Sequence, residues 1–176
     1  MRVLTVRQPW AWAIIHGGKD VENRLRSLGP YRGPVAIHAA QQLAPEALDS
    51  FMLRRAWHLA GDMPQRQTSS GMFEPVLEES YDEEASWLPL GAVIGVVDLA
   101  DEHPSGDCWR KPWKWETADP VNGDYCSDWA MADHHHLVLA NPRPLARPIP
   151  ATGRLGLWRP DDDLLAAITV QLAEVA

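Results

Sequence analysis

The first forty residues constrain the fold of this chain most. Residues 2–7 alternate and are rich in branched side chains, which is the pattern of a strand. Pro9 suits a first helical turn, where its missing N–H costs nothing. Trp10, Ala13 and Ile14 then fall at helical spacing, and Gly17-Gly18 supplies a left-handed stop. Residues 19–25 resume as a strand, with Lys19, Val21, Asn23 and Leu25 on one face and Asp20, Glu22 and Arg24 on the other. Apolar residues alone suffice to build such a turn. Lys19, Glu22 and Arg24 are surplus to it, which makes them candidates for a working site.

The rest of the chain divides at its glycines and prolines. Gly29-Pro30 and Gly33-Pro34 punctuate a turn holding Tyr31, and residues 34–39 follow as an apolar strand containing His38. Pro45 opens a helix running to about Leu59, with Leu48, Phe51, Met52, Arg55 and Leu59 at helical spacings, and Gly61 stops it. Residues 62–86 form an acidic loop insertion, too long for an ordinary connection. Residues 91–99 are a buried strand by composition, and 101–130 a second irregular, Trp-rich stretch. Residues 134–140 make another strand. The proline-rich run 141–150 reads as an extended connector, 153–158 as a closing strand, and Asp161-Asp-Asp163 as the cap of a final amphipathic helix. About six short strands with helices and no repeat predict an α+β fold, a small β-barrel with helices packed outside it. The expected organisation is one domain over 1–160 with the helix 161–176 packed on it.

Charge narrows the function. The chain of 176 residues carries a formal net charge of −8, which argues against gripping a duplex through bulk electrostatics. Its distribution is uneven: residues 1–34 hold six basic against two acidic side chains, whereas 61–107 hold one basic against eleven acidic. A small anionic ligand, or a few phosphates, is still within reach of the basic end. Gly17-Gly18-Lys19 lacks the upstream glycine of a phosphate-binding loop, so a nucleoside triphosphatase is not expected. No apolar run is long enough to span a bilayer, and no membrane partner is expected. Two cysteines, Cys108 and Cys126, give no disulfide framework, and a reducing cytoplasm is the default.

Several stretches together resemble the ASCH domain, the coactivator-homology branch of the PUA-like superfamily. They are residues 3–11 (VLTVRQPWA), the turn Gly18-Lys19 followed by Val21-Glu-Asn-Arg24, residues 31–38 (YRGPVAIH), His136-Leu-Val-Leu139, Pro142-Arg-Pro-Leu145, and Gly153 with Gly156-Leu-Trp158. The matches spread over most of 1–159, outside the acidic loop and the last helix. The resemblance implies a PUA-like barrel with a cleft beside the first helix and the lysine-bearing turn. Relatives bind RNA or modified bases, and some are hydrolases, among them an amidohydrolase acting on N4-acetylcytidine and ribonucleases. In the amidohydrolases the turn reads Gly-x-Lys-x-x-Thr-x-Arg. Lys19 matches that lysine and Arg24 that arginine, but Glu22 stands where those enzymes have threonine.

The residues themselves support roles. Lys19 follows a helix C-terminus, where the macrodipole favours a cation, and suits holding a phosphate or a developing oxyanion. Glu22 is the better base for activating water, provided the cleft raises its pKa; otherwise it pairs with Arg24 or Arg26. Trp10 and Trp12, two apart on a helix, cannot both face the core; either one is a stacking platform for a base, or one fills the barrel and the other lies under a loop. The binding candidates are Arg7, Trp10, Arg24, Tyr31, His38 and His136. His134-His135-His136 and Cys126 invite a metal, but the spacing from Cys126 and Cys108 fits no standard zinc pattern, so no metal or cofactor is assigned. The segment 109–115 (WRKPWKW) interleaves basic and aromatic residues, which fits either single-stranded nucleic acid or a loop folded on a barrel wall. Three functions follow in order: recognition of single-stranded RNA or a modified nucleoside; hydrolysis by Glu22 and Lys19; and an interaction module using the acidic loop or the proline-rich run, with no protein partner indicated.

Overall fold

The computed structural model describes residues 1–61, 65–67, 73–75, 88–110 and 125–175. Its main sheet has six strands in the order β2-β7-β6-β3-β1-β8. These are β1 (Arg2–Gln8), β2 (Val21–Arg24), β3 (Gly33–Leu43), β6 (Ala92–Pro104), β7 (His135–Pro150) and β8 (Leu157–Trp158). β1 runs parallel to β3 and every other pairing is antiparallel, so the sheet is mixed. Register shifts interrupt β1 against β3, β3 against β6, and β6 against β7; such bulges bend strands and increase twist. The sheet curls into a half-barrel, and with its helices the fold is α+β, as the alternation of short strands and helices predicts.

Alternation along the strands explains why both faces are covered. Leu4, Val35, Ile37 and Val97 face the inside of the curl, where α1 (Trp10–Ile15) sits on them through Ala11, Ile14 and Ile15. Val3, Ala36, Val93 and Val96 face outward and pack with Leu145, Trp158 and Ile168. Ile168 belongs to α3 (Asp162–Val175), whose first turn is capped by Asp161 accepting from the Leu164 N–H at 2.9 Å. The predicted final helix is therefore present, with Ile168 as its buried centre. Among the described residues no helix is long and apolar enough to cross a membrane.

Three expectations are corrected. The helix predicted over 45–59 is two elements, a 3₁₀ turn (Pro45–Asp49) and α2 (Phe51–Ala60), divided at Ser50, whose hydroxyl accepts from the Leu53 N–H. Its buried side chains are Leu53 and Trp57, whereas Phe51 and Leu59 are 68% and 75% exposed. The proline-rich run is no connector but the second half of β7, paired with β6 as far as Pro150↔Ala92. Prolines are tolerated there because β2 covers β7 only from His135 to Val138. Beyond that point β7 is an edge, where a missing N–H breaks no second ladder. The irregular stretch expected over 101–130 begins late, since β6 continues to Pro104 and a 3₁₀ helix (Ser105–Arg110) follows. Within the acidic insertion, β4 (Gln65–Gln67) and β5 (Phe73–Pro75) pair with each other. The side chains of 109–115 and most of that insertion lie outside the described residues.

Candidate functional site

The turn from α1 into β2 is built by two glycines with different jobs. A side chain on Gly17 would meet the Trp12 ring at 2.8 Å and the Ala13 Cα at 2.9 Å, so this position is glycine for space. Gly18 has open surroundings but a φ of +70°, so it is glycine for conformation. The Lys19 N–H then donates to the Ala13 carbonyl at 2.9 Å, which ties the lysine back to the helix end.

The Lys19 side chain is buried and its Nζ donates to the Val21 carbonyl and to Glu22 Oε2, the latter at 2.9 Å. Strict strand alternation puts these two residues on opposite faces. They meet because β2 starts only at Val21, leaving Lys19 in the turn. Glu22 Oε1 lies 3.1 Å from Arg24 Nη2, and that same nitrogen donates to the Thr5 carbonyl at 2.9 Å. Both carboxylate oxygens of Glu22 are thus engaged. Burial pushes the Glu22 pKa up, but Lys19 and then Arg24 outweigh it, and the net shift is downward from 4.5. The condition for Glu22 to act as a base at neutral pH, a raised pKa, is not met.

This ionic cluster forms one side of a cleft of about 670 Å3. Trp10 projects into it, with Lys19 Nζ 5.8 Å from the ring centroid, while Trp12 turns inward onto Trp57 at 5.8 Å. The pair therefore splits as helical geometry requires. Trp129 meets Trp10 edge to face at 6.5 Å and lines the same cleft with Ala130 and Met131. Arg7 lines the rim and pairs with Glu46 at 2.5 Å. Three cations (Arg7, Lys19, Arg24) and four carboxylates (Glu22, Glu46, Asp49, Asp128) border the cleft.

Of the residues singled out in the sequence, Arg7, Trp10, Lys19, Glu22 and Arg24 come together here. Tyr31, His38 and His136 do not. Tyr31 packs on the apolar cluster beneath α1 and donates its hydroxyl hydrogen to the Pro34 carbonyl at 2.8 Å. His38 is 1% exposed, sits 2.9 Å from the Ala151 carbonyl, and packs against Trp158. His136 is fully buried behind the cleft wall beside Cys108. Sequence reasoning missed Trp129, Met131 and Asp49, which reach the cleft from distant segments without any local signal. The Cys126 thiol is pushed up to about 12, by burial first and then by Cys108.

No known family's profile matches the chain, and no curated protein sequence does. Solved structures do give a likeness. It is to ASCH proteins. The ASCH protein of Zymomonas mobilis is 15% identical, with a TM-score of 0.48 and coverage of 96% of this chain and 94% of that one. A mutant of the same Zymomonas mobilis protein gives 15% identity and a TM-score of 0.48, covering 96% of both chains.

Proposed function

We propose that the cleft recognises a nucleobase, presented by single-stranded RNA or as a free modified nucleoside. One observation carries the reading: Trp10 and Trp129 stand at the cleft beside a buried Lys19–Glu22–Arg24 cluster. A base has a π-face and a polar edge. The indoles supply stacking, worth roughly 1–3 kcal/mol per base, and the ionic cluster supplies fixed donors and acceptors for the edge. Three cations against four carboxylates make the cleft nearly neutral, which suits a base and at most a few phosphates rather than a long polyanion. The ASCH resemblance of the motifs that build this turn supports the same substrate class. The two free thiols fit the reducing cytoplasm in which such a ligand is found.

Hydrolysis by Glu22 is the weaker reading. Its carboxylate is held by two cations and its pKa lies below the ordinary value, so it is a poor acceptor for a water proton at neutral pH. Titration calorimetry with a short single-stranded RNA, cytidine and N4-acetylcytidine tests recognition, and chromatography of the nucleoside mixtures tests turnover. Saturable binding that weakens in Trp10→Ala, without nucleoside release, is the expected result. Binding unchanged in both Trp10→Ala and the Lys19→Ala/Arg24→Ala double variant overturns the site. Release of free cytidine by the parent and not by Glu22→Gln restores the hydrolase.

A further inference from the structure

Behind the cleft wall, four side chains from three separate segments converge. His103 lies in β6, Cys108 in the 3₁₀ helix after it, Cys126 in the segment leading to Trp129, and His136 in β7. Their Nε2, Sγ, Sγ and Nδ1 atoms all lie within 4.8 Å of one another, and all four residues are buried, at 3%, 0%, 6% and 0% exposure. Cys108 Sγ is 3.4 Å from His103 Nε2 and 3.1 Å from His136 Nδ1, while Cys126 Sγ is 3.5 Å from His136 Nδ1. Zinc held tetrahedrally at its usual ligand distances sets sulfur and nitrogen about 3.6 Å apart. The cluster already has nearly those dimensions.

The outer partners fix which nitrogen points inward. His136 Nε2 is 2.8 Å from the Met131 carbonyl, which only accepts, so Nε2 carries the hydrogen and Nδ1 presents a bare lone pair to the thiols. His103 Nδ1 is 2.9 Å from Asp101 Oδ2, which assigns its hydrogen in the same way and leaves Nε2 bare. A carboxylate or carbonyl behind each imidazole is the arrangement that orients histidines on zinc. Two bare imidazole nitrogens facing two buried thiols have only the weak S–H donors between them.

We propose that His103, Cys108, Cys126 and His136 bind one zinc ion in a closed, four-ligand structural site. Thiolate and imidazole donors select zinc over magnesium or calcium, and four buried protein ligands leave no position for substrate. Two thiolates balance the charge of the ion in the dry interior. The site would clamp residues 126–131 to β6 and β7. Because Trp129, Ala130 and Met131 wall the cleft, the ion acts on ligand binding by positioning alone.

The test uses full-length protein from zinc-supplemented medium, dialysed and analysed by plasma mass spectrometry. About one zinc per chain is expected for the parent, falling below about a tenth in Cys108→Ser/Cys126→Ser. Cobalt substitution of the parent alone should give the visible absorption of a tetrahedral thiolate site, so the proposal stays testable if the double variant fails to fold. A parent that is zinc-free and shows no such band overturns it. So does zinc retained by a folded double variant.

Discussion

Asn23 and His136 stand opposite each other in the β2–β7 ladder and hold the same short segment from two sides. Asn23 donates to the Trp129 carbonyl at 2.8 Å and accepts from the Met131 N–H at 3.0 Å. His136 donates to the Met131 carbonyl at 2.8 Å. The cleft wall is therefore a loop fastened by side chains of two neighbouring strands rather than by a ladder of its own. Asn23→Ala should leave two backbone groups of residues 129–131 without protein partners and loosen that wall. Hydrogen exchange of residues 129–131 should rise well before global unfolding, while stability falls by about 1–2 kcal/mol.

Glu22 makes stability depend on pH in one direction. Its folded pKa is depressed, so its contribution is complete above 4.5 and is lost as pH falls through the folded value. Denaturant titrations of the parent and Glu22→Gln should differ by a constant amount from pH 7 to about 5 and converge below 4.5. A gap that persists to the acid limit would mean that shape, not charge, makes the difference.

Gly17 and Gly18 should respond differently to the same substitutions. Gly18→Ala puts a Cβ on a left-handed residue and should cost about 1–2 kcal/mol. Gly18→Asn, which tolerates that conformation, should cost less. Gly17→Ala drives into Trp12 and the Ala13 backbone, and no choice of side chain relieves it. Thermal unfolding of the three variants ranks them directly.

Trp57 and Leu59 test which face of α2 carries the fold. Trp57 is fully buried against Trp12, so Trp57→Ala should cost about 3–5 kcal/mol. Leu59 is 75% exposed, and Leu59→Ala should stay within about 0.5 kcal/mol. Chemical denaturation curves of the two variants suffice.

Trp10→Ala and Trp12→Ala should separate binding from folding. Trp10 borders the cleft, so its loss should weaken nucleobase binding by roughly 5- to 150-fold, the stacking range of 1–3 kcal/mol. Because it also packs in part on two apolar clusters, its loss should lower stability as well, though less than loss of Trp12. Trp12 is 3% exposed between α1 and α2, so its loss should appear as instability first.

What the sequence discloses is what neighbouring residues decide between themselves. β1, α1, the glycine turn and β2 are legible in local patterns of alternation, helical spacing and glycine, and so was the grouping of Lys19, Glu22 and Arg24. α2 misled because Leu48, Phe51 and Leu59 keep helical spacing across Ser50, where the chain breaks to cap a new helix. The proline run misled because proline signals a broken ladder, and only the sheet order reveals that β7 has a free edge there. The Cys and His residues looked unrelated because their separations match no compact motif. The β6–β7 pairing, with His103 directly opposite His136, is what joins them.

The placement of β1 has a consequence for how the protein is made. This strand lies between β3 and β8, and its Val3 pairs with Trp158 near the far end of the chain. At roughly 5–20 residues per second, a ribosome takes on the order of ten seconds to supply that partner. During that interval the Leu4 face can find α1 and β3, but the other edge of β1 stays open. The positively charged head of the chain also emerges before the acidic segment that follows. Slower synthesis lengthens the interval in which Val3 and Leu4 lack their β8 partners.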